Sequence, residues 1–168
     1  MKNKDLLRAV KMFGSPSYVY DASKIKKQYN RLITSFKTVK NLKINYAVKA
    51  LSNLSILKYI NHLGAGIDTV SIQEVVIGIK AGFSPDKIIY TPNGVSVNEI
   101  IKVSKMGVNI NIDNLNMLEQ FGSLHPEIPV CIRINPHVMA GGNNKISVGH
   151  IDSKSVSYTH LRAHETHE

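Results

Sequence analysis

The sequence predicts an α/β chain forming part of a (β/α)8 barrel, and three observations carry that prediction. Short β-branched runs alternate with amphipathic stretches, a unit that recurs about every 20–24 residues and implies a parallel sheet covered by helices. Lys49, Asp68, Thr91, Asp113 and Asn135 stand at or near the ends of five successive strands, at spacings of 19, 23, 22 and 22 residues. No strand leads into a GxGxxG turn, which argues against an open doubly wound sheet. A barrel instead gathers its polar residues at the C-terminal ends of its strands. Five of the eight units are present. Closing a barrel takes roughly 250 residues, and this chain has 168.

Each element has a local reason. YVYD at 18–21 reads as a brief strand, and Asp21 as the N-cap of a helix running to about Phe36. LKINYAVK (42–49) is apolar and β-rich, hence a strand. Ser52 or Asn53 caps the next helix, LSILKYINHLG, which closes at Gly64. GIDTVS (66–71) is a short strand, and IQEVVIGIKAG (72–82) has helical spacing and ends at Gly82. KIIYTP (87–92) is a strand stopped by proline, and VNEIIKVSKMG (97–107) a helix ended by glycine. VNINID (108–113), NLNMLEQFG (114–122) and IPVCIRINP (128–136) continue as strand, helix and strand. GVSVNE (94–99) holds a turn glycine, and MAGGNN (139–144) reads as a flexible loop with no following helix to bind an anion.

The composition, 43% hydrophobic and 20% charged, is that of a globular chain and excludes a wholly disordered one. No apolar run reaches the roughly 18 residues of a membrane span. The first residues carry no signal-peptide pattern, so a cytoplasmic location is expected. The net charge of +9 raises a nucleic-acid hypothesis. Its charges, however, are densest in KIKKQ and KTVKNLK, with apolar residues between them, as on solvated helix faces. No nucleic-acid motif accompanies them. The one cysteine, Cys131, cannot close an internal disulfide.

After Lys154 the pattern stops. The tail holds three of the seven histidines, His160, His164 and His167, at helical spacing that would suit a metal. VSYTHLRAHET (156–166) also reads as a translated sequencing-library adapter, so residues 155–168 are expected to be non-native and outside the fold.

Lys49 stands out for chemistry. A lysine ending an apolar strand, in NYAVKA, would face the barrel mouth, where loss of water makes an amine a nucleophile. The bland alternative is a snorkelling surface lysine. Asp68, in GAGIDTVS, could orient a cofactor or cap the following helix, a task open to Ser71 as well. Arg133, inside the apolar CIRINP strand, needs an anionic partner, either a ligand or a structural carboxylate. His137 and His150 read as surface-loop residues, and Cys131 as inert packing beside Arg133.

NYAVKA, GAGIDTVS and RINP, in that order, resemble the motifs of the alanine-racemase-fold PLP-dependent decarboxylases. SPSYVYD, EVVIGIKAGFSPDKIIYTPNGVSVNEI and RINPHVMAGGNNKISVGHIDSK extend the likeness from about Ser15 to Lys154, and the last favours the diaminopimelate branch. The resemblance implies a PLP-binding barrel in which Lys49 is catalytic and carries pyridoxal 5'-phosphate. Asp68 and Arg133 would line the cofactor pocket. It also implies a cytoplasmic homodimeric lyase of lysine biosynthesis that takes meso-diaminopimelate to L-lysine and CO2. No metal, nucleic-acid or membrane partner is implied. The expected organisation is an N-terminal segment, 1–21, lending a strand to a β-domain mostly outside the chain. A partial barrel over 22–154 and the tail 155–168 follow. The ring-stacking histidine, phosphate cradle, substrate arginine and cysteine region of the family pattern do not occur in 1–154. The 168 residues alone are therefore expected to be inactive. Alternatives are a non-catalytic PLP-binding barrel, another amino-acid decarboxylase of the fold, a nucleic-acid module and a metal-binding tail.

Overall fold

The computed structural model describes residues 2–134. Two compact units follow one another, residues 1–43 and Ile44 onward. The first holds two helices, α1 (Asn3–Phe13) and α2 (Ala22–Ser35). Asp21 caps α2 as expected. Its Oδ1 accepts the Ser23 hydroxyl at 2.5 Å and the Ser23 and Lys24 backbone N–H at 3.0 and 3.3 Å. The Ser23 hydroxyl is the main cause holding that carboxyl well below the ordinary range. Lys24, Lys26, Lys27 and Arg31 of α2 are all exposed, in keeping with solvated faces.

Two features differ from expectation. Residues 18–21 form no strand, because a strand needs a laddered neighbour and this unit contains only helices. Helix α1 was not expected from the sequence. Its signal lies in Leu6, Leu7, Val10 and Phe13 on one stripe, but Lys2 stands at the cap position where a Ser, Thr, Asp or Asn usually announces a helix.

The second unit is a run of strand–helix repeats: β1 (Asn45–Ala47), α3 (Leu54–His62), β2 (Gly66–Thr69), α4 (Ile72–Lys80), β3 (Ile88–Tyr90), α5 (Val97–Ser104), β4 (Asn109–Ile112), α6 (Leu115–Leu124) and β5 (Val130–Ile132). Asn53, Ser71, Ser96 and Asn114 cap their helices by accepting backbone N–H groups of the first turn. Gly64, Gly82 and Gly107 follow α3, α4 and α5 at φ of 95°, 93° and 75°, a left-handed backbone that stops a helix cheaply only at glycine.

All four strand pairings are parallel, and the order across the sheet is β1-β2-β3-β4-β5. This order separates the two architectures that the periodicity left open. A doubly wound sheet reverses its strand order at a switch point, whereas a barrel adds strands consecutively. The sheet is five strands of a barrel wall.

One face of the sheet packs on the helices. Ile67, Ile88, Tyr90, Ile110 and Ile112 are buried there with Val75, Ile100, Val103 and Phe121. Gly78 of α4 lies so close to the sheet that a Cβ would overlap Cδ1 of Ile67 and stand 3.4 Å from Cδ1 of Ile88. Alternation along the strands turns Asp68, Ile89 and Asn111 to the opposite, inner face.

Tyr90 brings a hydroxyl into the core. Its hydroxyl donates to Glu99 Oε1 of α5 at 2.7 Å. Burial, and then the Glu99 carboxylate, push the phenol well above its ordinary value of 10.0. The folded chain therefore keeps this proton where the unfolded chain loses it. The contribution to stability is complete below about pH 10 and is lost as pH rises beyond. Tyr90→Phe should cost about 1–2 kcal/mol near pH 7 and should flatten the alkaline decline. Urea unfolding at pH 7 and above pH 10 measures both, and an unchanged alkaline slope counts against the argument.

Candidate functional site

The strands end sooner than their apolar runs suggested. In β1 the ladder stops at Ala47, and Val48–Ala50 turns as a single 3-10 turn in which Val48 is buried. That turn places Lys49 two residues beyond the strand, exposed at its C-terminal end. No hydrogen bond or ion pair engages its amine among the described residues. The other described lysines of this unit lie elsewhere. Lys58, Lys80 and Lys102 are on helices, Lys87 is in the turn entering β3, and Lys105 follows α5.

Asp68 lies in β2, in register with Ala47 on one side and Ile89 on the other. It is half-buried and does not cap α4. Ser71 does that, accepting the Glu74 N–H at 3.3 Å while Glu74 returns to the Val70 N–H at 2.8 Å. The carboxylate of Asp68 is thereby left for another task. Its Oδ1 accepts the Thr91 hydroxyl at 2.7 Å, and Thr91 Oγ1 in turn accepts Nδ2 of Asn111 at 3.4 Å. Three neighbouring strands thus contribute one polar line across the inner face. At its far end Asn111 Oδ1 is buried without a hydrogen-bond partner. Spacing alone had singled out Thr91 but neither its bond to Asp68 nor Asn111.

Asp113, directly past β4, is nearly buried and accepts Asn93 Nδ2 at 2.7 Å and Asn114 Nδ2 at 3.1 Å. Beside it a cavity of about 30 Å³, lined by Pro92, Gly94, Asp113 and Met117 among others, has room for a water or two. Asp113 here ties two strand-end loops together.

Arg133 departs from expectation. The β4–β5 ladder ends at Ile112 and Ile132, so Arg133 follows the strand rather than lying inside it. It is half-buried, and its backbone N–H donates to Ile112 O at 2.9 Å. No carboxylate pairs with its guanidinium among the described residues, leaving it open to an anionic ligand. Four strand spacings separate β1 from β5, about 19 Å along the sheet. Lys49 and Arg133 therefore stand on different parts of the wall, while Asp68 is beside Lys49's own strand. Cys131 is exposed on β5, in register with Asn111.

Asn135, His137, His150, the MAGGNN loop and the histidine tail lie outside the described residues. Among the described residues no group of three or more His, Cys, Asp or Glu could hold a metal ion, and no helix is long and apolar enough to cross a membrane.

The donor set suits an aldehyde cofactor that also carries negative charge. It comprises an exposed primary amine, a carboxylate with one oxygen engaged, an unpaired guanidinium and a buried acceptor lacking a donor, all at or near the strand ends. Residues 22–164 match the family described as pyridoxal-dependent decarboxylase, pyridoxal binding domain. The diaminopimelate decarboxylase of Methanothermobacter thermautotrophicus is 34% identical over 147 residues, which is 86% of this chain and 34% of that protein. That of Helicobacter pylori strain J99 is 38% identical over 147 residues, 84% of this chain and 36% of that protein. The crystal structure of diaminopimelate decarboxylase from M. jannaschii in complex with L-lysine superposes with a TM-score of 0.79 at 30% identity, covering 95% of this chain and 40% of that one. The chain spans about a third of the length of these curated relatives.

Proposed function

The chain belongs to the pyridoxal-dependent decarboxylase family, and from that premise we propose that it is the cofactor-binding part of a diaminopimelate decarboxylase. The complete protein would convert meso-2,6-diaminopimelate to L-lysine and CO2. The observation that carries the reading is the exposed, unpaired amine of Lys49 past the C-terminal end of β1, with Asp68 on the adjacent strand.

Three residues would hold pyridoxal 5'-phosphate. Lys49 would hold the cofactor through its primary amine, the one side-chain group of the three suited to covalent attachment to an aldehyde. Asp68 offers a carboxylate oxygen to a donor, with Thr91 fixing the other oxygen. Arg133 offers a planar set of donors suited to an anionic oxygen. When bound, the cofactor supplies an electron sink for the pair left as the carbon–carboxylate bond breaks. The helices behind the sheet keep water from its outer face, so the chemistry is confined to the inner face and the mouth.

Substrate choice is read from relatives that bear the diaminopimelate decarboxylase name and from a solved one that binds L-lysine. The reading also takes the working protein to be a cytoplasmic homodimer, and residues 155–168 to be non-native. The test is CO2 release and lysine formation from meso-diaminopimelate by protein expressed from the complete gene, whose sequence beyond codon 155 is read first. Release from ornithine or arginine in preference would move the chain to another decarboxylase of the fold. Cofactor binding with no release from any amino acid would favour a non-catalytic barrel.

A further inference from the structure

We infer that Thr91 is a positioning residue: its hydroxyl fixes one carboxylate oxygen of Asp68 so that the other meets the bound cofactor. The inference rests on the pyridoxal-binding reading above.

A threonine hydroxyl has one proton to give. The Asp68 carboxylate can only accept, so at 2.7 Å that proton belongs to Asp68 Oδ1. The lone pairs of Thr91 Oγ1 are then free to accept Asn111 Nδ2 at 3.4 Å. Both donors point the same way, toward β2. The orphaned Oδ1 of Asn111 records this direction. Rotating the amide would bring Oδ1 against a hydroxyl whose only proton is already committed.

The backbone holds the same arrangement. The Thr91 N–H donates to Thr69 O at 2.7 Å, and the Thr69 hydroxyl donates to Ile89 O at 2.9 Å. Strands β2 and β3 are therefore cross-linked around Asp68, and Thr91 cannot drift from it. Among the described residues only one of the Asp68 oxygens has a partner. A carboxylate anchored through one oxygen keeps the other at a fixed direction, which a ligand donor can use without first ordering the side chain.

The test compares Thr91→Val and Thr91→Ser in protein expressed from the complete gene. Valine keeps the branched shape and removes the donor. Serine keeps the donor. Melting temperature reports the fold, and a pyridoxal 5'-phosphate titration with borohydride trapping reports affinity and attachment. Thr91→Val should bind the cofactor about tenfold more weakly, the scale of one hydrogen bond to a charged group, and melt a few degrees below the parent for the same lost bond. Thr91→Ser should stay within about twofold. Thr91→Val binding as tightly as the parent overturns the inference. So does a loss that Thr91→Ser shares in full, which would mark Thr91 as packing alone. If the parent itself traps no cofactor, the pyridoxal-binding reading fails, and the inference with it.

Discussion

Protein from the complete gene carrying Lys49→Ala should retain no pyridoxal 5'-phosphate after borohydride reduction, and its turnover should fall by roughly a thousandfold or more. That is the scale on which removing a covalent catalyst acts. The physical ground is position. Among the described residues Lys49 is the lysine that stands just past a strand's C-terminal end, where a barrel gathers its chemistry. The competing account is a snorkelling lysine that covers nearby apolar surface. Lys49→Arg separates the two. Arginine keeps the charge and the long apolar stem, so a surface role would survive it. A guanidinium does not attack a carbonyl as an amine does, so a covalent role would not. Loss of trapping in both variants, with the melting temperature unchanged, supports the catalytic reading. Trapping that persists in Lys49→Arg transfers the attachment to another lysine.

The fold was legible where it depends on local chemistry. Asp21, Asn53 and Ser71 cap the helices that they announce, and Gly64, Gly82 and Gly107 end them, because caps and left-handed glycines are decided within a few residues. Strand limits were less legible. NYAVK reads as one continuous strand, yet the ladder stops at Ala47 and Val48–Ala50 turns as a 3-10 turn, so Lys49 falls on that turn. CIR continues β5 in pattern, but pairing ends at Ile132 and leaves Arg133 outside. Helix α1 carries a weak sequence signal because Lys2 is an unusual cap. At the site, spacing identified the residues at each strand's end but not which would touch. The bond from Thr91 to Asp68 and the approach of Asn111 to Thr91 join strands 20 or more residues apart, and only the register brings them together.

The same register makes Gly66 the most sensitive packing position near the site. β2 lies between β1 and β3. A Cβ on Gly66 would overlap Asn45 Oδ1 on one side and stand 2.7 Å from Lys87 O on the other. The asparagine side chain can rotate, but the Lys87 carbonyl cannot leave without moving the turn that enters β3. Gly66→Ala should therefore cost about 3 kcal/mol, the upper end for overpacking, and lower the melting temperature by roughly 10 °C. Gly78→Ala is the control. There the overlap is with the terminal methyl of Ile67, which can turn aside, and alanine regains about 1 kcal/mol of helix propensity. Its net effect should be small. The consequence for the site follows from the distance along the strand. Asp68 is two residues beyond Gly66, held by pairing to Ala47 and Ile89, so a displaced β2 carries the carboxylate away from Thr91. Gly66→Ala should lose cofactor affinity as well as stability, while Gly78→Ala keeps both. Thermal melts and cofactor titrations on the two variants decide it. A Gly66→Ala protein as stable as the Gly78→Ala protein would show that the close spacing of these strands is not what requires glycine.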